Sequence, residues 1–445
     1  MREMKDSGVD WIDTIPEDWS VVPLKTEVSF GKGLPITKEN LIEKGVAVVS
    51  YGQIHSKMNT GSHLKEELVR YVSEDYLQTN PECLAQKGDI FVADTSEDYD
   101  GIGNAVLIDW DGDVFAGYHT VIIRPQNKQY SKYLSYLFMT DAWRSQLRSR
   151  ASGIKVYSVT QGLLKKTEII IPNSVYVQRL TGYLDRKCST IDNIISKQEQ
   201  IIEKLKEYKL SLITEAVTKG LDPNVEMIDS GTEWLGKYPK HWQYLSFKNV
   251  LVERVEKNDP VLTEERLSLS IDKGVTLYAD KTTNLDRFKD DVSLYKLAHK
   301  GDLVLNSMNM IVGAIGISEW FGCVSPAYYT YYDTKEDHST AKYCDYLLRC
   351  KTMRKVLLSL GKGIMAIDRG DDRINTCRLK VSRNDLRALK IPVPPDEEQR
   401  KIIDYLNKKE IVINKTIADR ERAIERLQEY KKSLIYEVVT GKKEV

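Results

Sequence analysis

The sequence lacks the features of membrane-spanning, secreted and zinc-binding proteins. No apolar run comes near the ~20 residues that a membrane span needs, and the first ten residues contain no apolar stretch typical of a secretory signal. Six cysteines are scattered through 445 residues without a Cys-x-x-Cys pair, a pattern that fits free thiols in a reducing compartment. We therefore expect a cytoplasmic protein, and its length predicts two domains or more.

Common catalytic signatures are also missing. The sequence contains no GxxxxGK[ST] loop, no HExxH and no Asn-Pro-Pro-aromatic tetrapeptide. The stretch "PPDEEQRK" places acids near a lysine, as in some nucleases, but proline followed by acids is better explained as a helix start. We expect no catalytic residue, no metal site and no bound cofactor, although an unrecognised active site, such as that of a nuclease, stays open.

Charge of either sign is not in excess. The 65 basic residues equal the 65 acidic ones, which weakens a simple nucleic-acid interpretation. The distribution is uneven, however, because residues 342–390 contain 13 basic and 5 acidic residues. A balanced total can therefore conceal a basic face.

The sequence does contain a long internal repeat. "KLKEYKLSLITEAVTKG" (204–220) and "RLQEYKKSLIYEVVTGK" (426–442) are identical at 10 of 17 positions. "SGVDWIDTIPEDW" returns as "SGTEWLGKYPKHW", and "KGDIFV" returns as "KGDLVL". The period of about 222 residues far exceeds that of solenoid repeats and indicates duplicated domains.

Each copy is predicted to be a globule followed by a long helix. Short β-rich runs such as "DIFVAD" and "AYYTYY" alternate with helical stretches, so we expect an α+β protein with two similar mixed α/β globules. The predicted boundaries are 1–177 for the first globule, 178–221 for a central helix, 222–395 for the second globule and 396–445 for a C-terminal helix.

Both long helices show a heptad pattern that predicts a coiled coil. The alternative is an amphipathic helix lying on its own globule. The predicted seam consists of Ile191, Ile194, Gln198, Ile201, Leu205, Tyr208 and Leu212 in the first helix, and of Ile413, Arg420, Leu427, Tyr430 and Leu434 in the second.

Connector length predicts the direction of the two helices. About ten residues separate the first helix from the second globule, so the second helix must run back toward the first globule to bury its seam. The prediction is a long antiparallel two-helix coiled coil between two globules related by a pseudo-two-fold axis.

Several polar and basic loops are candidates for contact with DNA, through phosphates or base edges. For each loop the alternative is an ordinary solvated surface. The candidate DNA-binding residues are Gln53, His55, Lys57, Arg148, Arg150, Lys155, Tyr157, Asn306, Asn309, Lys362, Arg369 and Arg373.

The whole chain resembles the specificity (S) subunits of type I restriction-modification systems. The resemblance rests on "KGDIFVADTSEDYDGIGNAV" and "SGIKVYSVTQGLLKKTEIIIP" in the first copy. In the second copy it rests on "KGDLVLNSMNMIVGAIGI" and "NDLRALKIPVPPDEEQRKI". The stretch Ile391–Gln399 is the most specific element.

The resemblance implies a non-catalytic subunit with two target recognition domains, each reading one half of a split, asymmetric double-stranded DNA target. It also implies that the helices set the gap and bind two methyltransferase (M) subunits, which carry S-adenosylmethionine, and that motor–nuclease (R) subunits join them. The competing hypothesis is a structural scaffold without sequence preference.

Overall fold

The protein contains two compact units of mixed α and β structure. The computed structural model describes residues 3–153, 156–271, 273–280, 291–363 and 379–445. Unit 1 comprises Met1–Gln198 and Arg422–Val445, and unit 2 comprises Glu199–Glu421. The cysteines of the described residues (83, 188, 323, 344 and 350) are free and buried, and the sixth, Cys377, lies outside them.

Before the first long helix, the described residues of unit 1 form thirteen strands and six short α-helices. The strands are β1 (Met4–Val9), β2 (Ile12–Pro16), β3 (Ser20–Pro23), β4 (Val28–Lys32), β5 (Val46–Val49), β6 (Arg70–Val72), β7 (Ile90–Ala93), β8 (Thr95–Ser96), β9 (Ala105–Leu107), β10 (Val114–Ala116), β11 (Thr120–Pro125), β12 (Tyr157–Ser158) and β13 (Glu168–Ile171). The helices are α1 (Leu24–Glu27), α2 (Tyr51–Ile54), α3 (Tyr76–Thr79), α4 (Ser131–Phe138), α5 (Asp141–Arg148) and α6 (Gln161–Leu164).

Unit 2 has a similar set of elements. Its strands are β14 (Met227–Asp229), β15 (Lys237–Pro239), β16 (Gln243–Ser246), β17 (Val252–Arg254), β18 (Leu267–Ser270), β19 (Gly274–Leu277), β20 (Lys296–Ala298), β21 (Leu303–Asn306), β22 (Ile315–Ile317), β23 (Gly322–Val324), β24 (Tyr328–Tyr332), β25 (Gly361–Lys362), β26 (Lys380–Val381) and β27 (Lys390–Val393). Its shorter helices are α8 (Ser339–Arg349), α9 (Lys351–Leu360) and α10 (Arg383–Ala388).

Two long helices belong partly to each unit. They are α7 (Ser174–Lys219) and α11 (Asp396–Val439). The first begins four residues before the boundary expected from sequence. The second follows two prolines and carries three acids in its first turn, where negative charge interacts favourably with the positive end of the helix dipole.

The central sheet of each unit has four antiparallel strands in the same arrangement. The order is β4-β11-β7-β9 in unit 1 and β17-β24-β21-β22 in unit 2. In unit 1 Thr120 pairs with Ala93, and in unit 2 Tyr328 pairs with Asn306. The repeated Lys-Gly-Asp stretch therefore precedes the same strand, β7 or β21, in both units.

The aspartate of that repeated stretch has a structural role. Asp89 is fully buried, accepting from Arg124 Nε at 3.1 Å and Lys128 Nζ at 2.5 Å. Asp302 is buried too and accepts from Arg254 Nε at 2.6 Å. Each carboxylate thus fixes the start of a central strand to neighbouring structure, because a buried charge is tolerated only when it is paired.

The core of each unit contains the beginning of one long helix and the end of the other. In unit 1 Leu184 of α7 and Val438 of α11 lie in one hydrophobic cluster. In unit 2 Val217 of α7 and Leu406 of α11 do the same. A helix lying wholly on its own globule, the alternative considered from sequence, is therefore wrong for both.

Candidate nucleic-acid interface

An edge of the central sheet in unit 1 carries a polar cleft. Because β7 and β11 are antiparallel and Ala93 pairs with Thr120, the next residue of one strand and the preceding residue of the other are neighbours. These are Asp94 and His119, whose Oδ1 and Nδ1 atoms lie 3.1 Å apart. The sequence reasoning did not single out either residue.

The cleft beside this pair has a volume of about 490 Å³. It is lined by residues from three strands (β4, β11 and β12), the short helix α6 and adjoining loops, which is typical of a site built from loop ends on a rigid scaffold. Its lining residues are Lys32, Gly33, Asp94, His119, Thr120, Val121, Ser158, Thr160, Gln161 and Gly162. Hydroxyl, amide, imidazole and ammonium groups at such an edge are the groups that bind phosphates and base edges.

The predicted contact residues around α2 divide between exposed and internal positions. Lys57 is exposed. Gln53 is half-buried, and its Oε1 accepts from the backbone N of Ser50 at 3.1 Å. His55 is half-buried, with Nε2 2.7 Å from the Thr95 carbonyl oxygen and Nδ1 3.0 Å from Asn104 Nδ2. Both ring nitrogens of His55 are therefore used within the unit, which argues against a base-reading role.

The predicted residues at the end of α5 also differ from one another. Arg150 is exposed. Arg148 has a side chain only 11% exposed, donates to Asp141 Oδ1 at 2.8 Å, and lies over the ring of Tyr99. Tyr157 is half-buried in β12, and its ring also contacts Tyr99. Lys155 lies outside the described residues.

Arg144, which the sequence reasoning passed over, connects α5 to the α2 region. Its Nη1 donates to Asn104 Oδ1 at 2.7 Å, and Asn104 in turn contacts His55. Burial and, to a smaller extent, positive Arg148 lower the pKa of Arg144 to about 10, while Asp141 opposes both. Arg144 Nε also donates to the Phe138 carbonyl oxygen at 2.8 Å, so the guanidinium is held by contacts within unit 1.

The predicted DNA-binding residues of unit 2 differ in exposure, and two of them lie outside the described residues. Asn306 is buried, and its Oδ1 accepts from the backbone N of Met308 at 3.1 Å, so it shapes the turn after β21. Asn309 is exposed. Lys362 is exposed at the end of β25 and contacts Asp385 Oδ2 at 3.0 Å. Arg369 and Arg373 lie outside the described residues.

The described parts of the basic stretch 342–390 contain further exposed cations on either side of residues 364–378. Lys362 pairs with Lys380 across β25 and β26, and both side chains are exposed. Arg383 and Arg387 follow in α10, where both contact Glu253 at 2.9 and 3.3 Å. Lys380, Arg383 and Arg387 were inside the basic stretch but, unlike Lys362, were not singled out, because sequence alone does not show which of its cations face solvent.

Each long helix has a stripe of buried and half-buried residues along its length. This buried stripe differs from the predicted seam at four of the predicted positions. Predicted residues that are buried or half-buried are Ile191, Gln198, Leu205, Leu212, Ile413, Arg420, Leu427 and Leu434. Ile194, Ile201, Tyr208 and Tyr430 are exposed. The stripe follows the next residue at each of these places, namely Ile195, Ile202, Lys209 and Lys431.

The error has a simple cause. Ile194 and Ile201 each precede another isoleucine, and either member of such a doublet satisfies a three-four spacing. The prediction chose the first member, and burial occurs at the second. The four exposed residues therefore do not belong to the buried stripe.

Two other features, a metal site and a membrane-spanning helix, are absent from the described ranges. No group of three or more His, Cys, Asp or Glu side chains there is placed to hold a metal ion. No helix among the described residues is both long and apolar enough to span a membrane.

Comparisons with known proteins point in one direction. A model of the family "Type I restriction modification DNA specificity domain" matches residues 16–215. The putative type I restriction enzyme MjaX specificity subunit of Methanocaldococcus jannaschii is 23% identical, covering 97% of this chain and 95% of its own length. The type I restriction enzyme EcoKI specificity subunit of Escherichia coli K12 is 18% identical, covering 87% and 81%.

A solved structure shares the fold. It comes from work on complex assembly and conformational transition of the type I R-M system. Its TM-score is 0.62 at 15% identity, and the alignment covers 96% of this chain and 98% of that one.

Proposed function

We propose, from the premise that this chain is a member of the type I restriction-modification specificity-subunit family, that each unit reads one half of a split, asymmetric DNA target. The observation that carries the proposal is the DNA specificity domain matched at residues 16–215. The same four-stranded sheet order recurs in unit 2. Two similar scaffolds with different loops suit two different half-sites.

The two long helices are proposed to form an antiparallel spacer that sets the gap between the half-sites. Supporting contacts occur in each unit by itself. Lys431 Nζ lies 2.7 Å from Asp192 Oδ1, and Lys209 Nζ lies 3.0 Å from Asn414 Oδ1. Lys209 comes 17 residues after Asp192, while Asn414 comes 17 residues before Lys431. Rising numbers on one helix thus meet falling numbers on the other.

These contacts also support a pseudo-two-fold relation. Lys209 and Lys431 occupy the same position of the sequence repeat, as do Asp192 and Asn414. Each helix therefore supplies the lysine in one contact and the acceptor in the other, as in the isologous interface of a symmetric dimer. A helix of 46 residues is about 70 Å long, so the spacer could separate the two recognition domains by about two turns of B-DNA.

Partner subunits are proposed to supply the chemistry. As a specificity subunit the chain is not an enzyme, and two M subunits with S-adenosylmethionine would methylate the DNA, joined by R subunits for cleavage. Apolar side chains stand exposed on the long helices at Ile194, Ile201, Ile411 and Val412. Exposed apolar residues of this kind favour protein contacts, and we propose that they help to dock the M subunits in the cytoplasm.

Mapping methylated bases in the genome of the source organism, with and without this gene, tests the function. We expect one split motif, with two unlike halves and a fixed gap, to lose its methylation when the gene is removed. A structural scaffold without DNA contacts would change the amount of methylation at all motifs but would define no motif. That outcome would contradict the proposal.

A further inference from the structure

Residues 117–120 of unit 1 are held by four backbone hydrogen bonds to three different segments. The bonds are Gly117 N to Val49 O (2.8 Å), Tyr51 N to Tyr118 O (3.3 Å), Asp94 N to His119 O (3.1 Å) and Gly33 N to Thr120 O (3.0 Å). The backbone also packs closely, since a Cβ on Gly33 would come within 1.9 Å of the Gly117 oxygen. These contacts therefore hold the backbone of residues 117–120 in the observed conformation.

Within this stretch His119 adopts a left-handed backbone conformation, with φ of 55°. Residues other than glycine rarely adopt that backbone conformation, because their Cβ atom lies too close to the following carbonyl oxygen. Such residues persist where the surroundings over-determine them, and they cluster at functional sites. The four hydrogen bonds supply the over-determination, so the strain at His119 calls for a functional explanation.

The imidazole ring of His119 has a fixed orientation. Its Nδ1 lies 3.1 Å from Asp94 Oδ1 and 3.2 Å from Thr95 Oγ1. The rings of Tyr51 and Tyr118 contact it edge-on, at centroid distances of 5.4 and 6.2 Å. An aligned ring loses little further freedom when it binds a ligand, which favours specific contact.

The contact with Asp94 also determines what the other ring nitrogen can do. A carboxylate only accepts, so Nδ1 carries the hydrogen, and Nε2 of the neutral ring is an acceptor. The side chain is 56% exposed at the cleft. None of the described residues forms a hydrogen bond with Nε2.

Unit 2 has different chemistry at the corresponding place. The strand pairing of Tyr328 with Asn306 puts Ala327 in the position of His119 and Ser307 in that of Asp94. The scaffold is shared, but the imidazole–carboxylate pair is not. A difference at an equivalent sheet edge is what two recognition domains with unlike half-sites require.

We propose that His119 determines part of the sequence specificity of unit 1 by accepting, at Nε2, a hydrogen bond from an exocyclic amino group on a base edge. In the major groove that group is cytosine N4 or adenine N6. Exposed Lys32 at the rim of the cleft supplies a cation for an adjoining phosphate. The inference rests on the proposed function and names the chemistry that this cleft recognises.

The first test is His119→Asn, because asparagine tolerates the left-handed conformation. The variant replaces the wild-type chain in the assembled methyltransferase, and methylated motifs are mapped. We expect discrimination to fall by about 10-fold at one cytosine- or adenine-containing base pair of a single half-site, with the other half-site and the gap unchanged. The matched control is His299→Asn, a half-buried histidine of unit 2 beside Glu256, which should leave the motif as it is.

A second test identifies the base by comparing the wild-type and His119→Asn assemblies on modified DNA. The wild-type assembly is bound to target DNA in which purine replaces each adenine, or 2-pyrimidinone each cytosine, one at a time, so that one amino group is removed. One substitution should weaken binding about 10-fold, and the same substitution should cost the His119→Asn assembly little.

The two tests separate failure of this inference from failure of the proposed function. If His119→Asn left the motif unchanged, or if both assemblies lost the same binding affinity on every analogue, the proposed role of His119 would be wrong. The proposed function would be unaffected. If the wild-type assembly showed no sequence preference at all, the proposed function itself would fail. If His119→Asn abolished methylation, the analogue series on the wild-type protein would decide.

Discussion

At the scale of single residues, side chains retained in both copies hold each unit together. Tyr133 and Tyr343 are buried and lie at matching places on α4 and α8. Their hydroxyls donate to the carbonyl oxygens of Val439 and Val217, each at 2.8 Å. Both acceptors lie in the last turn of a long helix, where carbonyls have no partner within the helix. This explains why the sequence repeats the ends of its helices so closely.

Removing either hydroxyl should therefore destabilise the unit that contains it. We expect Tyr133→Phe and Tyr343→Phe each to lower the free energy of unfolding by about 1–2 kcal/mol, because a buried carbonyl loses its donor. Urea unfolding followed by fluorescence measures the change, with Tyr99→Phe, whose side chain is exposed, as the control. A variant with the stability of the control would show that the hydroxyl does not anchor the helix end.

At this scale, the predicted DNA-binding residues differ in how accessible they are. Lys57 and Arg150 are exposed, as contact with DNA would require. The sequence does not show that Arg148 and His55 form hydrogen bonds within unit 1. The prediction also missed His119, because neither a left-handed backbone nor a neighbour such as Asp94 can be read from residue order.

At the scale of elements, the long helices were predicted with the correct period but an incorrect phase at alternate positions. The heptad spacing identifies a buried stripe, and both helices have one. Where two isoleucines are adjacent, the choice between them depends on how the helix is rotated against its surroundings, which is a tertiary property. In the second helix the same phase was carried over at Tyr430, where the half-buried residue is the next one, Lys431.

The doublet at residues 201 and 202 provides a matched pair for testing the phase. Ile202 is 6% exposed, whereas Ile201 is 37% exposed. We expect Ile202→Ala to reduce the free energy of unfolding by about 2–3 kcal/mol, because it removes buried methyl groups and leaves a cavity. Ile201→Ala should cost less than about 1 kcal/mol. Equal shifts in the urea midpoint, or a larger one for Ile201→Ala, would contradict this phase.

At the scale of the whole molecule, duplication explains both what is shared and what differs. The repeat predicted two similar units, and the sheet orders of the two units agree. The loops at the sheet edges diverged, as Asp94 with His119 and Ser307 with Ala327 illustrate. Bases read by such loops cannot be derived from sequence, because they depend on which few atoms reach a groove edge.

The central proposal is that the two long helices set the gap between two half-sites on DNA. Its most direct test is a methylation map of cells whose specificity chain carries one extra heptad in both α7 and α11. Seven residues lengthen a helix by about 10 Å and preserve the buried stripe. We predict the same two half-sites with a gap longer by up to about three base pairs; the same half-sites at the original gap would contradict the account.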